Sequence, residues 1–230
     1  MKPGAAYVYD VLGRISREIT SAGTTEKRYT PGTESVIDAL GHETKSVFDA
    51  YGRLTSLVER LPTRDITTNY TYDTLGRMTK LTDALGNIRE WKYDGYGRMY
   101  EASDLHAVGD TSFGVRKYEY DNGNRISKYT NPNGIAVNYT YDSLSRLTTE
   151  SWSGMTRNYS YDVATLGTLS SVTDSGSIVN YSYDPLGRKT GEVRQMGGKS
   201  YALSYAYNIQ NALTTINYPD GGKTEYSFKK

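Results

Sequence analysis

Cysteine is absent from the 230 residues, which excludes disulfides, thiolate metal sites and a cysteine nucleophile. Phe and Trp are nearly missing too, with three and two copies, and Leu, Ile, Val and Phe together make up only 41 residues. So thin an aliphatic supply goes with disorder when net charge is high. Here 27 basic residues stand against 26 acidic ones, so that condition fails and the chain can fold. The same balance provides no basic field to hold a phosphate backbone, which argues against nucleic acid as a partner. No run approaches the ~18 apolar residues of a membrane span, and Met1-Lys2-Pro3-Gly4-Ala5-Ala6-Tyr7 lacks the apolar stretch of a signal peptide. Two His, His42 and His106, stand alone, with no second His or Cys beside either for a metal site and no nearby Ser/Asp arrangement to support a triad.

What the chain has instead is Tyr, 23 copies of it, so its buried surface must lean on phenol rings, and a helical bundle is disfavoured. These Tyr recur as Tyr-x-Tyr-Asp: Tyr7/Tyr9/Asp10, Tyr70/Tyr72/Asp73, Tyr118/Tyr120/Asp121, Tyr139/Tyr141/Asp142, Tyr159/Tyr161/Asp162 and Tyr181/Tyr183/Asp184. Weaker copies are Phe48/Asp49, Trp91/Tyr93/Asp94, Tyr205/Tyr207/Asn208 and Tyr226/Phe228, and Tyr29-Thr30-Pro31-Gly32 fills the long gap after the first. The expectation is one repeat domain over residues 1–230, of about ten or eleven degenerate units of roughly 21 residues each.

After the Asp comes x-x-Gly-Arg, as in Gly13-Arg14, Gly52-Arg53, Gly76-Arg77, Gly97-Arg98 and Gly187-Arg188. Asp opening a tight turn accepts backbone N–H bonds, and Gly at the fourth position takes the left-handed conformation that closes a hairpin loop. A second turn recurs between these, in Asp38-Ala39-Leu40-Gly41, Asp83-Ala84-Leu85-Gly86, Asn131-Pro132-Asn133-Gly134, Asp174-Ser175-Gly176 and Asp220-Gly221-Gly222. Two turns per unit leave two strands of ordinary length. Between turns the pattern has period two: in Ile135-Ala136-Val137-Asn138-Tyr139-Thr140-Tyr141 the Ile, Val and Tyr share one face and Ala, Asn and Thr the other. The expected class is all-β and antiparallel.

The Tyr-x-Tyr-Asp-x-x-Gly-Arg unit resembles the YD repeat, also called the RHS repeat, over essentially the whole chain. That resemblance implies a long, strongly curved antiparallel sheet of hairpins, here a strip or single turn of a spiral shell. Such shells occur in bacterial insecticidal toxin complexes, in RHS effectors and in teneurins, and in the bacterial cases they enclose a C-terminal toxic segment. It also implies secretion or a cell-surface location. The self-cleaving Asp-Pro-x-Gly box of complete toxins is not matched, because Asp184-Pro185-Leu186-Gly187-Arg188 continues as an ordinary repeat. The chain is expected to be a repeat segment without its own payload, an excised piece or a small stand-alone member. Copies departing from the pattern at Asn124-Arg125, Ser145-Arg146, Thr165-Leu166 and Asn211-Ala212 are expected to make looser turns, and Asp162 lacks a following Arg.

The residues that carry the repeat are Tyr7, Tyr9, Asp10, Gly13, Arg14; Tyr70, Tyr72, Asp73, Gly76, Arg77; Tyr93, Asp94, Gly97, Arg98; Tyr139, Tyr141, Asp142; and Tyr181, Tyr183, Asp184, Gly187, Arg188. A structural role is assigned to each. The carboxylates of Asp73, Asp94, Asp142 and Asp184 sit one per turn rather than converging as a cation cage requires, so turn capping and Arg pairing outweigh metal binding. The Arg series, including Arg53, Arg125 and Arg146, fits pairing with carboxylates and stacking on Tyr better than a polyanion stripe, given the neutral charge. The Tyr ladders with Trp91 and Trp152 read as cross-strand packing before a sugar platform. Asn69, Asn138, Asn158 and Asn180 match the glycosylation sequon only because the repeat recurs. His42 occupies the place of Asn87 in a turn. Tyr100–Val115 reads as a lengthened loop, where function often sits.

No cofactor, no metal and no catalytic residue is assigned. The leading expectation is a non-enzymatic scaffold that encloses or presents a toxin or other polypeptide. The alternative is a stand-alone module binding carbohydrate or a cell surface, and no acid/base pair or nucleophile supports a hydrolase. Unpaired first and last strands, guarded only by Lys2, Pro3, Lys229 and Lys230, make self-association through sheet edges or the aromatic concave face the expected homotypic contact.

Overall fold

The computed structural model describes residues 4–228. All regular structure in them is strand, 21 strands in total, and the ladders join strands consecutive in the chain, always antiparallel. The chain divides into two compact units, Met1–Arg116 and Lys117–Lys230.

The first unit is a meander of β1 (Ala6–Tyr9), β2 (Ile15–Thr20), β3 (Gly23–Thr30), β4 (Thr33–Ile37), β5 (Glu43–Phe48), β6 (Leu54–Arg60), β7 (Asp65–Tyr72), β8 (Met78–Thr82), β9 (Ile88–Tyr93) and β10 (Met99–Ser103). The second begins within β11 (Val115–Tyr120) and continues through β12 (Ile126–Thr130), β13 (Ala136–Tyr141), β14 (Leu147–Trp152), β15 (Met155–Tyr161) and β16 (Leu169–Thr173). It ends with β17 (Ser177–Tyr183), β18 (Lys189–Met196), β19 (Lys199–Tyr207), β20 (Leu213–Asn217) and β21 (Lys223–Glu225). Among the described residues, and within each unit taken by itself, β1 pairs with β2 alone and β21 with β20 alone, so each of these strands carries an open edge there. The guarding residues Lys2, Pro3, Lys229 and Lys230 lie outside the described residues.

The alternation read from the sequence sets the faces. Along β13, Asn138 and Thr140 are exposed while Val137, Tyr139 and Tyr141 are half-buried. Half-buried is as far as the rings go: among the described residues only Ile88, Ala102, Val179, Ser103 and His106 are buried. Within each unit, contacts among the described residues join neighbouring strands, and a sheet without a second layer packed on it has no interior to fill, which reconciles an ordered fold with the shortage of aliphatic residues. The expected tyrosine core is therefore a ring-covered face rather than a closed interior.

Two corrections concern loops. Tyr100–Ser103 belong to β10, so the long loop starts only at Asp104. It is also better anchored than a plain insertion: His106 and Ile88 exchange both backbone hydrogen bonds, Phe113 stacks on the His106 ring at 3.6 Å, and Arg116 pairs with Asp104. The other correction is at the last turn, which opens on Tyr218 rather than Asp220, since Tyr218 donates its N–H to Gly222 and accepts from Gly221.

Candidate functional site

One arrangement recurs at nearly every repeat hairpin. In Asp49-Ala50-Tyr51-Gly52-Arg53 the Asp49 N–H donates to the Arg53 carbonyl at 2.9 Å and Gly52 donates back to the Asp49 carbonyl at 3.0 Å. Asp49 Oδ1 accepts the N–H groups of Tyr51 and Arg53, and Oδ2 accepts Arg53 Nε at 2.6 Å. The same bonds close the turns at Asp10, Asp73, Asp94, Asp121, Asp142 and Asp184. Each of these carboxyls is held below its ordinary value. At Asp49 the cause is the Arg53 N–H, working against partial burial, followed by the guanidinium; at Asp121 the Arg125 side chain comes first. The turns at Asp38 and Asp83 repeat the pattern with His42 and Asn87 in the Arg position.

The fourth turn residue has positive φ, 80° at Gly76 and 85° at Gly97, a region that costs an L-residue about 1–2 kcal/mol. Asn124, Ser145 and Asn211 adopt it as well, at 63°, 64° and 63°, and make the same backbone bonds. The looser turns expected there are not found, because small polar side chains tolerate the left-handed region. At Thr165-Leu166 the loop does lengthen: Asp162 bonds Thr168 and accepts the Gly167 N–H at 2.6 Å. Replacing Gly97 with Val puts a branched Cβ at positive φ and 3.4 Å from Arg77 Nη1. A loss of about 2 kcal/mol in urea titrations is the expected result, and an unchanged midpoint would refute the strain argument.

Each Arg then reaches the next hairpin. Arg53 Nη1 donates to the Asp73 carbonyl, Arg77 to that of Asp94, Arg125 to that of Asp142 and Arg188 to that of Asn208. The guanidinium lies over the second Tyr of that hairpin, with Arg53 4.9 Å from the Tyr72 ring, Arg77 4.8 Å from Tyr93 and Arg146 4.4 Å from Tyr161. Asp162, without its own Arg, is held by Arg146, which bridges Asp142 and Asp162 at 2.7 Å each and whose own acidity is lowered first by Asp162 and then by Asp142.

The second Tyr closes the link. Its hydroxyl donates backward to the first residue after the preceding turn, which follows the Arg in five of the six cases and Thr168 in the other: Tyr72 to Leu54 at 2.7 Å, Tyr93 to Met78 at 2.9 Å, Tyr141 to Ile126 at 2.8 Å, Tyr161 to Leu147 at 2.9 Å, Tyr183 to Leu169 at 2.9 Å and Tyr207 to Lys189 at 2.8 Å. The reason lies in the register. The β6–β7 ladder stops at Ser56↔Asn69, so Leu54 has no ladder partner on that side, and the phenol supplies the donor. Tyr29 does the same for Ile15, with Arg14 over its ring, which makes the decayed copy a working one.

A residue type absent from the expectations completes the unit. These hairpins carry a bulge at the turn end, as where Val47↔Ser56 gives way to Phe48↔Leu54, and the extra residue is Ser16, Thr55, Thr79, Ser127, Thr148, Ser170, Thr190 or Thr214, with Tyr100 in that place in the β9–β10 hairpin. Several of these hydroxyls bond the carbonyl across the bulge, as Thr55 does to Val47 and Thr214 to Ala206. The signal was legible as Ser/Thr two places after the Arg in six of these eight, and two places after Thr168 and Ala212 in the others.

The first Tyr has different partners: Tyr7 approaches Glu18 at 3.5 Å and Tyr159 bonds Glu150 at 3.1 Å. Tyr9, the second of its pair, is half exposed. Trp91 and Trp152 lie beneath Arg89 and Arg157, each at 5.4 Å. No group of three His, Asp or Glu among the described residues could hold a metal ion, and each turn carboxylate is engaged as above. Treatment with a chelator is expected to leave the melting temperature unchanged, and a fall of more than ~5 °C, about a kcal/mol or two at this size, would count against that.

Residues 103–230 match the family model described as Teneurin YD-shell, and residues 48–88 and 72–111 match RHS Repeat. A comparison with curated proteins finds no match. Among solved structures, TcdB2-TccC3 without its hypervariable C-terminal region superposes with a TM-score of 0.63 at 16% identity, over 93% of this chain and 15% of that one. The chain thus spans about 15% of the length of that relative. TcdB2-TccC3-Cdc42 gives a TM-score of 0.28 at 15% identity, covering 93% and 18% of the two chains. A porin-like protein from Bacteroides uniformis gives 0.33 at 11% identity, covering 84% and 93%. Neither lower score carries an argument about fold.

Proposed function

Because the chain belongs to the Teneurin YD-shell family, whose repeats are a structural shell element, we propose that it is a non-enzymatic scaffold, a strip of repeat shell that encloses or presents another polypeptide. The observation that carries this is the use of the repeat's own chemistry: Asp, Arg, Tyr hydroxyl and bulge hydroxyl are engaged with one another and with the backbone. Groups so committed hold hairpins in register and are not available to a substrate. Residues 1–230 act as one repeat domain on this reading, the motif residues are structural, and the chain works outside the cell or at its surface. Self-association through the open edges of β1 and β21 belongs to the same proposal.

The test is to recover the tagged chain from its native cells and digest the complex with protease. A co-purifying polypeptide that resists cleavage until urea unfolds the repeats is the expected result. Absence of any protected polypeptide would overturn the reading. The glycan alternative has one observation in its favour, an open cleft of about 570 Å³ beside Trp152, bordered by Asn133, Asn138 and Ser151. Saturable binding on a glycan array, abolished by Trp152→Ala, would favour it instead.

A further inference from the structure

The turn tips hold apolar side chains where solvent-facing turns ordinarily carry polar ones. In the first unit the third turn residue is Tyr51, Leu75 or Tyr96, exposed to 85%, 74% and 85%, on three successive hairpins. The second unit by itself shows the same habit at Leu144, Leu166 and Leu186, exposed to 71%, 86% and 72%. Such a row is not explained by the turn, which needs only the Asp and the positive-φ residue. Packing accounts for little of it: Tyr51 and Tyr96 each lie 5.1 Å from the guanidinium of the Arg in the same turn and are still mostly exposed, as are the leucines.

Between two tips lies a notch. An open cleft of about 580 Å³ is walled by Tyr51 on one side and Leu75 on the other, with Arg53 and Tyr72 beneath. Arg53 brings little free charge to it: Nε is bound to Asp49, Nη1 to the Asp73 carbonyl, and the guanidinium lies 5.1 Å from the Tyr51 ring and 4.9 Å from that of Tyr72. The notch suits an apolar group more than an anion.

We propose that this rim of knobs and notches docks on the same rim of a second copy of the chain, tip into notch. Two observations select that occupant. Knobs recur every two strands, about 10 Å apart by strand spacing, and another row of these turns offers apolar groups at that period, so two identical rows interdigitate when offset by half a hairpin. The Asp–Arg pairs also balance the charge of the first unit's rim and leave that of the second short of one arginine, where Asp142 and Asp162 share Arg146, so like meets like with little repulsion, as a self-complementary two-fold contact requires. The rim is distinct from the sheet edges and from either sheet face, and the inference does not depend on the scaffold reading.

Sedimentation velocity of the full chain, compared between ~5 and ~200 µM, a span that brackets weak homotypic affinities, tests it. The wild type should gain mass with concentration. A variant with Tyr51, Leu75, Tyr96, Leu144, Leu166 and Leu186 all changed to Asn, a residue turns favour, should remain monomeric with the wild-type circular dichroism spectrum. Glu225→Pro, at a β21 position whose N–H faces away from β20, blocks edge pairing and should associate like the wild type. Association that survives the Asn variant, association lost only in Glu225→Pro, or a wild type that stays monomeric throughout would each overturn the proposal. If the sixfold variant does not fold, the Tyr51, Leu75 and Tyr96 changes alone should weaken association at least several-fold, and no weakening would overturn it.

Discussion

Removing four phenolic hydroxyls from the second unit, by Tyr→Phe at Tyr141, Tyr161, Tyr183 and Tyr207, is expected to destabilise it by about 4 kcal/mol, taking about 1 kcal/mol for each hydrogen bond lost. Domains of this size hold a total of only ~5–15 kcal/mol, so most of the margin would go. The rings stay, so the change isolates the bond from each hydroxyl to the carbonyl that the ladder leaves unpartnered. Burial pushes the Tyr141 and Tyr183 phenols upward, which keeps the hydroxyls protonated as donors through neutral pH. In urea titrations the midpoint should fall with the slope unchanged. The matched control is Tyr139→Phe with Tyr181→Phe, first tyrosines on the same strands, whose loss should cost at most about 0.5 kcal/mol each. Equal effects in the two sets would show that the rings act only as packing and that the hydroxyls are incidental.

Acid should unfold the chain early. The carboxyls of Asp10, Asp49, Asp73, Asp94, Asp121, Asp142, Asp162 and Asp184 all lie below their ordinary value in the folded protein. The unfolded chain therefore takes up protons first as pH falls. Stability from these groups is complete above the unfolded value, near pH 4, and is lost as pH drops from there through the lower folded values. Because the same turn repeats, the losses accumulate along each unit. Melting temperature should be level between about pH 5 and pH 7 and then fall steeply below about pH 4. Asp142→Asn, which weakens one turn, should lower the neutral-pH melting temperature and flatten the acid limb. A curve that stays level down to pH 3 would mean that the Asp–Arg turns contribute nothing to folding.

The repeat, its antiparallel strands and both turn families were legible in the sequence because each rests on chemistry within a few residues. Asp capping its own turn, Gly or Asn entering positive φ, and side chains alternating across a strand need no knowledge of what lies further along the chain. Even the replacement of Arg by His42 or Asn87 follows from position in the turn. Tertiary structure alone decided what crosses from one hairpin to the next. Arg53 caps its own Asp49 and also holds the hairpin of Asp73, Tyr72 reaches back to Leu54, and Arg146 serves an Asp162 that has no arginine of its own. These links span 14 to 20 residues, and local patterning is blind to them, since it fixes which face a side chain takes but not which carbonyl the ladder leaves open. The ratio of 23 Tyr to three Phe was the trace left in the sequence: a ring alone would have served for packing, and the hydroxyl is required because the ladder to the next hairpin stops two residues short of the turn.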